Sequence, residues 1–244
     1  MSKKSIARVL FFGILLIAEN LGLEMLFHDL PDVIGYVIRV LLVMGTFYLL
    51  IQVNYAIEIP INSPVSTKEQ VRVNWLTILL VIGCCLPLMF KGMMEYPASL
   101  PDSLLYAMGA GIVGEYLFRG LFLQLALEDG DGSYKQVLLA VLLSSLFFGL
   151  VQLTPYLEKS LVTLANQGLY AFCLGVYLCA LVVRTGHIWW GILLQYMMTF
   201  SLIQASQSTL TTPASVVWSP LFSLILLALA LYLMRQQKVA VDAN

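Results

Sequence analysis

Charge is scarce in this sequence: 11% of its 244 residues are Asp, Glu, Lys or Arg, where soluble domains carry about 25%. The formal net charge is −1, with no long run of one sign, so there is neither a basic face for nucleic acid nor an acidic tail. Histidine occurs twice, as His28 and His187, far apart and outside any HExxH or clustered pattern. A zinc site is therefore not suggested, and no metal or organic cofactor is expected. The four cysteines, Cys84, Cys85, Cys173 and Cys179, all sit inside apolar runs and suggest neither a disulfide framework nor a CxxC metal site. Internal repeats, low-complexity segments and a separate soluble domain are also missing. What fills the chain instead is apolar: 60% hydrophobic residues and a mean hydropathy of +0.88.

Several apolar runs exceed the roughly 18 residues that mark a bilayer span. Eight spans are expected, near residues 5–27, 33–54, 73–93, 103–127, 135–153, 163–183, 187–205 and 215–234. The fold class is thus an all-α polytopic membrane protein, a single transmembrane domain over residues 1–244. Lys3, Lys4 and Arg8 precede the first run as in a signal peptide, but the run contains Glu19 and Glu24 and lacks a small-x-small cleavage site, so it reads as a retained span. An even span count puts both termini on one side. That side carries nine basic residues (Lys3, Lys4, Arg8, Lys68, Arg72, Lys135, Arg184, Arg235, Lys238), against two on the other (Lys91, Lys159). The positive-inside rule then places both termini in the cytoplasm, with the chain in the cell membrane.

Charged groups inside spans are costly and are functional candidates by default. They are Glu19, Glu24, Arg39, Glu115 and Arg119. Glu24 and Arg39 lie near expected span ends, where snorkelling or a shifted boundary explains them. Glu19 and Asn20 are deeper and suit a polar contact or a cavity wall. Glu115 and Arg119 are four apart on one helix, the spacing of an intrahelical ion pair and a structural clasp. The fifth span adds Ser144, Ser145, Gly149 and Gln152, and the seventh adds Gln195 and Thr199. Such faces must point inward. They imply a polar cavity built from spans four, five and seven, with Glu19, Asn20, Ser145 and Gly149 as further candidate lining. Glutamine and threonine donate and accept hydrogen bonds but take no proton near neutral pH. No G-x-S-x-G elbow appears and no serine is visibly paired with a base.

Three segments carry a resemblance: Gly114-Glu115-Tyr116-Leu117-Phe118-Arg119-Gly120; Ser144-Ser145-Leu146-Phe147-Phe148-Gly149-Leu150-Val151-Gln152; and Arg184-Thr185-Gly186-His187-Ile188-Trp189-Trp190-Gly191-Ile192-Leu193-Leu194-Gln195, running on to Thr199. In order and spacing they resemble the three motifs of the CAAX protease and bacteriocin-processing (CPBP, or Abi) family of intramembrane glutamate proteases: Glu-Glu-x-x-x-Arg, Phe-x-x-x-His and His-x-x-x-Asn/Asp. The resemblance implies a CAAX-protease-like bundle with its core at residues 103–205. In that family the first Glu and first His activate the attacking water, and the second His and the Asn stabilise the oxyanion. Here those positions align with Gly114, Gln152, Gln195 and Thr199, while Glu115 and Arg119 keep the family's second Glu and Arg.

Losing a positioned general base costs about 10²–10⁴ in rate, and losing one oxyanion donor about 10²–10³. The resemblance with those departures favours a non-catalytic member, a pseudoprotease that binds a membrane partner or a peptide. Family relatives that are bacteriocin self-immunity proteins, or membrane partners of cell-wall enzymes, imply a scaffold, regulatory or immunity role in the cell envelope. The expected partners are the lipid bilayer and another membrane or cell-envelope protein or peptide, with no nucleic acid. Two alternatives stand beside this: an active CAAX-type endopeptidase with a rearranged base, and a transporter using the cavity for passage. Against the transporter, the chain has no detectable repeats and no Gly/Pro-broken helices.

Overall fold

A computed structural model describes residues 3–128, 130, 132–154, 160–207 and 214–235, with side chains for all of these except 80, 84, 205–207 and 214–219. Cys84 therefore lies outside the described side chains, and Lys159 and Lys238 lie outside the described residues.

Eight helices make up the described chain: α1 (Lys3–Leu26), α2 (Asp32–Val53), α3 (Thr67–Glu95), α4 (Pro97–Glu128), α5 (Tyr134–Gln152), α6 (Leu161–Thr185), α7 (Trp189–Gln207) and α8 (Ala214–Arg235). They take up the eight expected spans in order. The first six are long and apolar enough to cross a bilayer. Helix α7 is diluted by Gln195, Thr199, Ser201 and Gln204, and α8 is apolar over Pro220–Arg235. The chain is an all-helical, multi-pass membrane protein.

Local chemistry explains where the helices depart from the expected bounds. Ser66 accepts a hydrogen bond from the Glu69 backbone N–H at 3.4 Å, so α3 starts at Thr67, well before the apolar run does. Its far end continues through Lys91 and Glu95, which pair across one turn at 3.9 Å. Pro97 then opens α4, a position where the missing N–H costs nothing. The break expected over residues 91–101 therefore shrinks to Tyr96. Helix α6 ends at Gly186, whose φ of +71° suits glycine and whose N–H reaches Val182 O at 2.8 Å.

Within the bilayer, helices associate by close packing and internal hydrogen bonds, since lipid is as apolar as leucine. Helix α6 is the central element, packed by α3, α5, α7 and α8. It is buried almost without interruption from Ala171 to Thr185, as expected of a helix apolar on all sides. Small residues allow the closest approaches. A Cβ on Gly111 of α4 would stand 3.0 Å from Ile192 O of α7, and one on Gly175 of α6 would stand 3.0 Å from Ser145 Cβ of α5. Helix α4 also widens to i→i+5 hydrogen bonding over Gly109–Val113 and Tyr116–Phe122, a deformation that turns side chains out of the regular helical register.

The segment between α2 and α3 folds back over the α6–α7 turn. Ile188 N donates to Pro60 O at 3.0 Å, Trp189 Nε1 to Ile61 O at 3.1 Å, and Ser63 Oγ to Thr185 O. In the same cluster His187 Nε2 meets Gln70 Oε1 at 2.8 Å, while its Nδ1 is buried with no partner among the described residues. The neutral Nε2–H tautomer fits this pattern, and protonation would bury a second donor with nothing to accept it. Burial accordingly pushes the ring below its usual value of 6.5. Above that value both folded and unfolded chains are neutral and stability is full. As pH falls through 6.5 the unfolded chain takes the proton first and stability drops. The thermal midpoint in detergent should fall between pH 7.5 and 5.5, and His187→Gln should flatten that part of the profile. A wild-type profile unaffected by the substitution would refute this assignment.

Candidate functional site

Glu115 and Arg119 lie one turn apart on the widened part of α4, both with no solvent exposure. Arg119 Nη1 stands 3.0 Å from Glu115 Oε1. Its Nη2 donates to Gly175 O of α6 at 3.1 Å, and its guanidinium lies 4.4 Å over the Phe148 ring of α5. On the other side, the Glu115 carboxylate presses on Gly191 of α7, where no Cβ would fit. Ser144 Oγ adds a bond to Phe118 O at 2.6 Å, tying α5 to α4. One ion pair thus touches α4, α5, α6 and α7, and neither Glu115 nor Arg119 lines the cavities of about 240 and 530 Å³.

Gly114, Gln152, Gln195 and Thr199 do face open space. A cavity of about 240 Å³ lies between α5, α6 and α7, walled by Gln152, Gln167, Tyr170, Gln195, Met198 and Thr199 among others. A second, of about 530 Å³, lies among α1, α2, α4, α5 and α7 and includes Asn20, Glu24, Arg39, Gly114, Gln152 and Thr199. Gln152, Thr199 and Ile203 line both, so the two spaces adjoin across these side chains. Gly114 is open: a Cβ built there meets nothing within 4 Å. Unlike Gly111 and Gly175, it is not required by close packing.

The cavity region therefore draws on more than spans four, five and seven, since α1, α2 and α6 also wall it. Of the further lining candidates, Asn20 is in the wall and donates to Thr154 Oγ1 at 3.3 Å. Glu19 lies outside it and accepts from Thr46 Oγ1 at 2.8 Å, joining α1 to α2. Ser145 is turned back on its own helix, donating to Val141 O at 2.6 Å, and Gly149 lets Phe172 of α6 approach. Neither borders either of these two cavities. Glu24 and Arg39 pair with each other between α1 and α2, so their place near the span ends is explained by a partner in the protein.

Two contributions escaped the sequence reading. Gln167, Tyr170, Ala171 and Leu174 form the α6 wall. Their spacing of 3, 1 and 3 marks a single helix face, a signal that was present. The Glu24–Arg39 pairing had only opposite sign on consecutive spans to point to it. Among the described residues, no group of three His, Cys, Asp or Glu stands close enough to hold a metal ion.

Residues 96–201 match the family model for type II CAAX prenyl endopeptidases, Rce1-like. The match takes in α4, α5, α6 and most of α7, the helices that hold the Glu115–Arg119 pair and the cavity-lining positions Gly114, Gln152, Gln195 and Thr199. This part of the chain is a domain similar to the intramembrane CAAX endopeptidases. No curated protein and no solved structure matches the chain.

Proposed function

We propose that this protein is a non-catalytic relative of the CAAX endopeptidases that binds a membrane partner or peptide in its intramembrane cavity. One observation carries the reading. The positions where the family holds its water-activating and oxyanion groups, Gly114, Gln152, Gln195 and Thr199, all border the cavities. Gly114 brings no side chain, and those of Gln152, Gln195 and Thr199 hydrogen-bond but do not exchange protons near neutral pH. Behind them the fold-keeping ion pair is intact. The architecture of a substrate site is kept without a base at its usual place.

Both termini are assigned to the cytoplasm on the nine-to-two distribution of basic residues. The Arg8–Glu128 pair at 3.6 Å sets the start of α1 beside the end of α4, as two intervening hairpins require of the first four spans.

A second reading has an observation of its own. Glu24 is a carboxylate on the wall of the larger cavity, and a base placed there would make the chain an active endopeptidase. Its carboxylate is already engaged by Arg39. Photo-crosslinking in native membranes separates the two. A benzophenone side chain at Ile203, on the cavity wall, should give a defined adduct with an intact partner, and one at Leu193, exposed on the outside of α7, should not. Adducts equal at both positions would sink the cavity-binding reading. A partner found cleaved, with cleavage abolished by Glu24→Gln, would establish the second.

A further inference from the structure

A third cavity, of about 570 Å³, shares no lining residue with the two above. The non-helical residues 58–64, between α2 and α3, form one side of it, and the C-terminal parts of α4 and α6 form the other. Several features give this space one electrical sign. Glu58 is the one charged side chain on its wall, and it has no cation partner among the described residues. Leu127 belongs to the last turn of α4, and Val182 and Val183 to the last turn of α6, so the negative ends of two helix dipoles reach the cavity. Donors are scarce on the opposite side. Pro60 and Pro64 carry no N–H, Ile61 N donates to Ile59 O at 2.8 Å, and Ser63 Oγ donates to Thr185 O. Gln124 uses its Nε2 on Arg119 O at 3.2 Å, while its Oε1 meets no donor among the described residues.

We infer that this third cavity binds a primary alkylammonium group, supplied by a free amine or by a lysine side chain. An ammonium is a compact cation with three donors and no acceptor, the complement of a wall rich in acceptors and negative in sign. An anion would meet Glu58 and both helix ends unfavourably. A bare metal ion fits less well, because no group of three His, Cys, Asp or Glu stands close enough to hold one among the described residues. The rest of the wall is largely aliphatic, with Ile59, Ile61, Leu123, Leu127, Val182 and Val183, and it covers a hydrocarbon stem while the charged head stays at Glu58. The site lies apart from the cavities assigned to a partner, so neither reading depends on the other.

The test titrates the purified full chain, in a nonionic detergent and against a micelle-only reference, with n-butylammonium, n-butanol, butyrate and methylammonium. Isothermal titration should show saturable binding of butylammonium, with its neutral isostere butanol and the anion butyrate each weaker by about tenfold. Methylammonium, which has no stem for the aliphatic wall, should also be weaker by about tenfold. Glu58 is exposed, so Glu58→Gln should keep the wild-type thermal midpoint while losing most of the preference for butylammonium over butanol. Nα-acetyl-lysine methylamide separates the two sources. Binding as tight as that of butylammonium, or tighter, assigns the site to a lysine side chain, and weaker binding assigns it to a free amine. No saturable binding of either amine, equal binding of butylammonium and butanol, or a preference unchanged in a folded Glu58→Gln protein would overturn the inference.

Discussion

Glu115→Leu is expected to cut recovery of folded protein severely. Arginine stays charged at any accessible pH, so the substitution strands a guanidinium with no solvent exposure. Its remaining contacts are the Gly175 carbonyl and the Phe148 face. Removing one partner of a buried pair costs about 3–5 kcal/mol, against a total stability of about 5–15 kcal/mol for a typical protein. Arg119→Leu should also be severe, because it strands the carboxylate against Gly191 and removes the α4–α6 bond as well. The double variant Glu115→Leu/Arg119→Met should recover much of the loss, since apolar groups of similar size often replace a buried pair at little net cost. Monodispersity on fluorescence-detected gel filtration, with the thermal midpoint in the same detergent, reads out all three. A Glu115→Leu protein as stable as wild type would mean that the pair is not the clasp described here. If the double variant folds and still forms the Ile203 adduct, the pair positions the helices and takes no part in binding.

The bundle was legible in the sequence because a bilayer imposes a length and an apolarity on every crossing. All eight helices appear where the hydropathy places them. The errors at α3 and α4 have a local cause: the Ser66 cap and the proline at position 97 set helix ends by hydrogen bonding, which hydropathy does not record. Glu115 and Arg119 were legible for a related reason, since contacts between residues one turn apart are written into spacing. The Glu24–Arg39 pair joins two helices, and the sequence carries no rule for which faces of two spans meet. The α6 wall is hard to read from sequence because it carries no charge. That wall has a single glutamine and a tyrosine in an otherwise apolar run, and the cavity that gathers Gln152, Gln167 and Gln195 exists only once α5, α6 and α7 are brought together.

The same packing sets up the sharpest test of the proposed non-catalytic role. The chain with Gly114→Glu, Gln152→His, Gln195→His and Thr199→Asn puts the family's residue types at its four cavity positions. The structure gives reason to expect that it folds: Gly114 has open space beyond its Cα, and the other three side chains already border a cavity. With a farnesylated CAAX peptide in proteoliposomes, wild type should show no turnover above background. The quadruple variant should exceed it by at least about 10², the lower bound for a positioned general base. Gly114→Glu alone should stay near wild type, because a base and its partners fail and recover as a unit. Wild-type turnover equal to that of the quadruple variant would overturn the non-catalytic reading and direct attention to Glu24. An active quadruple variant that also loses the Ile203 adduct would show that one cavity serves either chemistry or capture, with four side chains deciding between them.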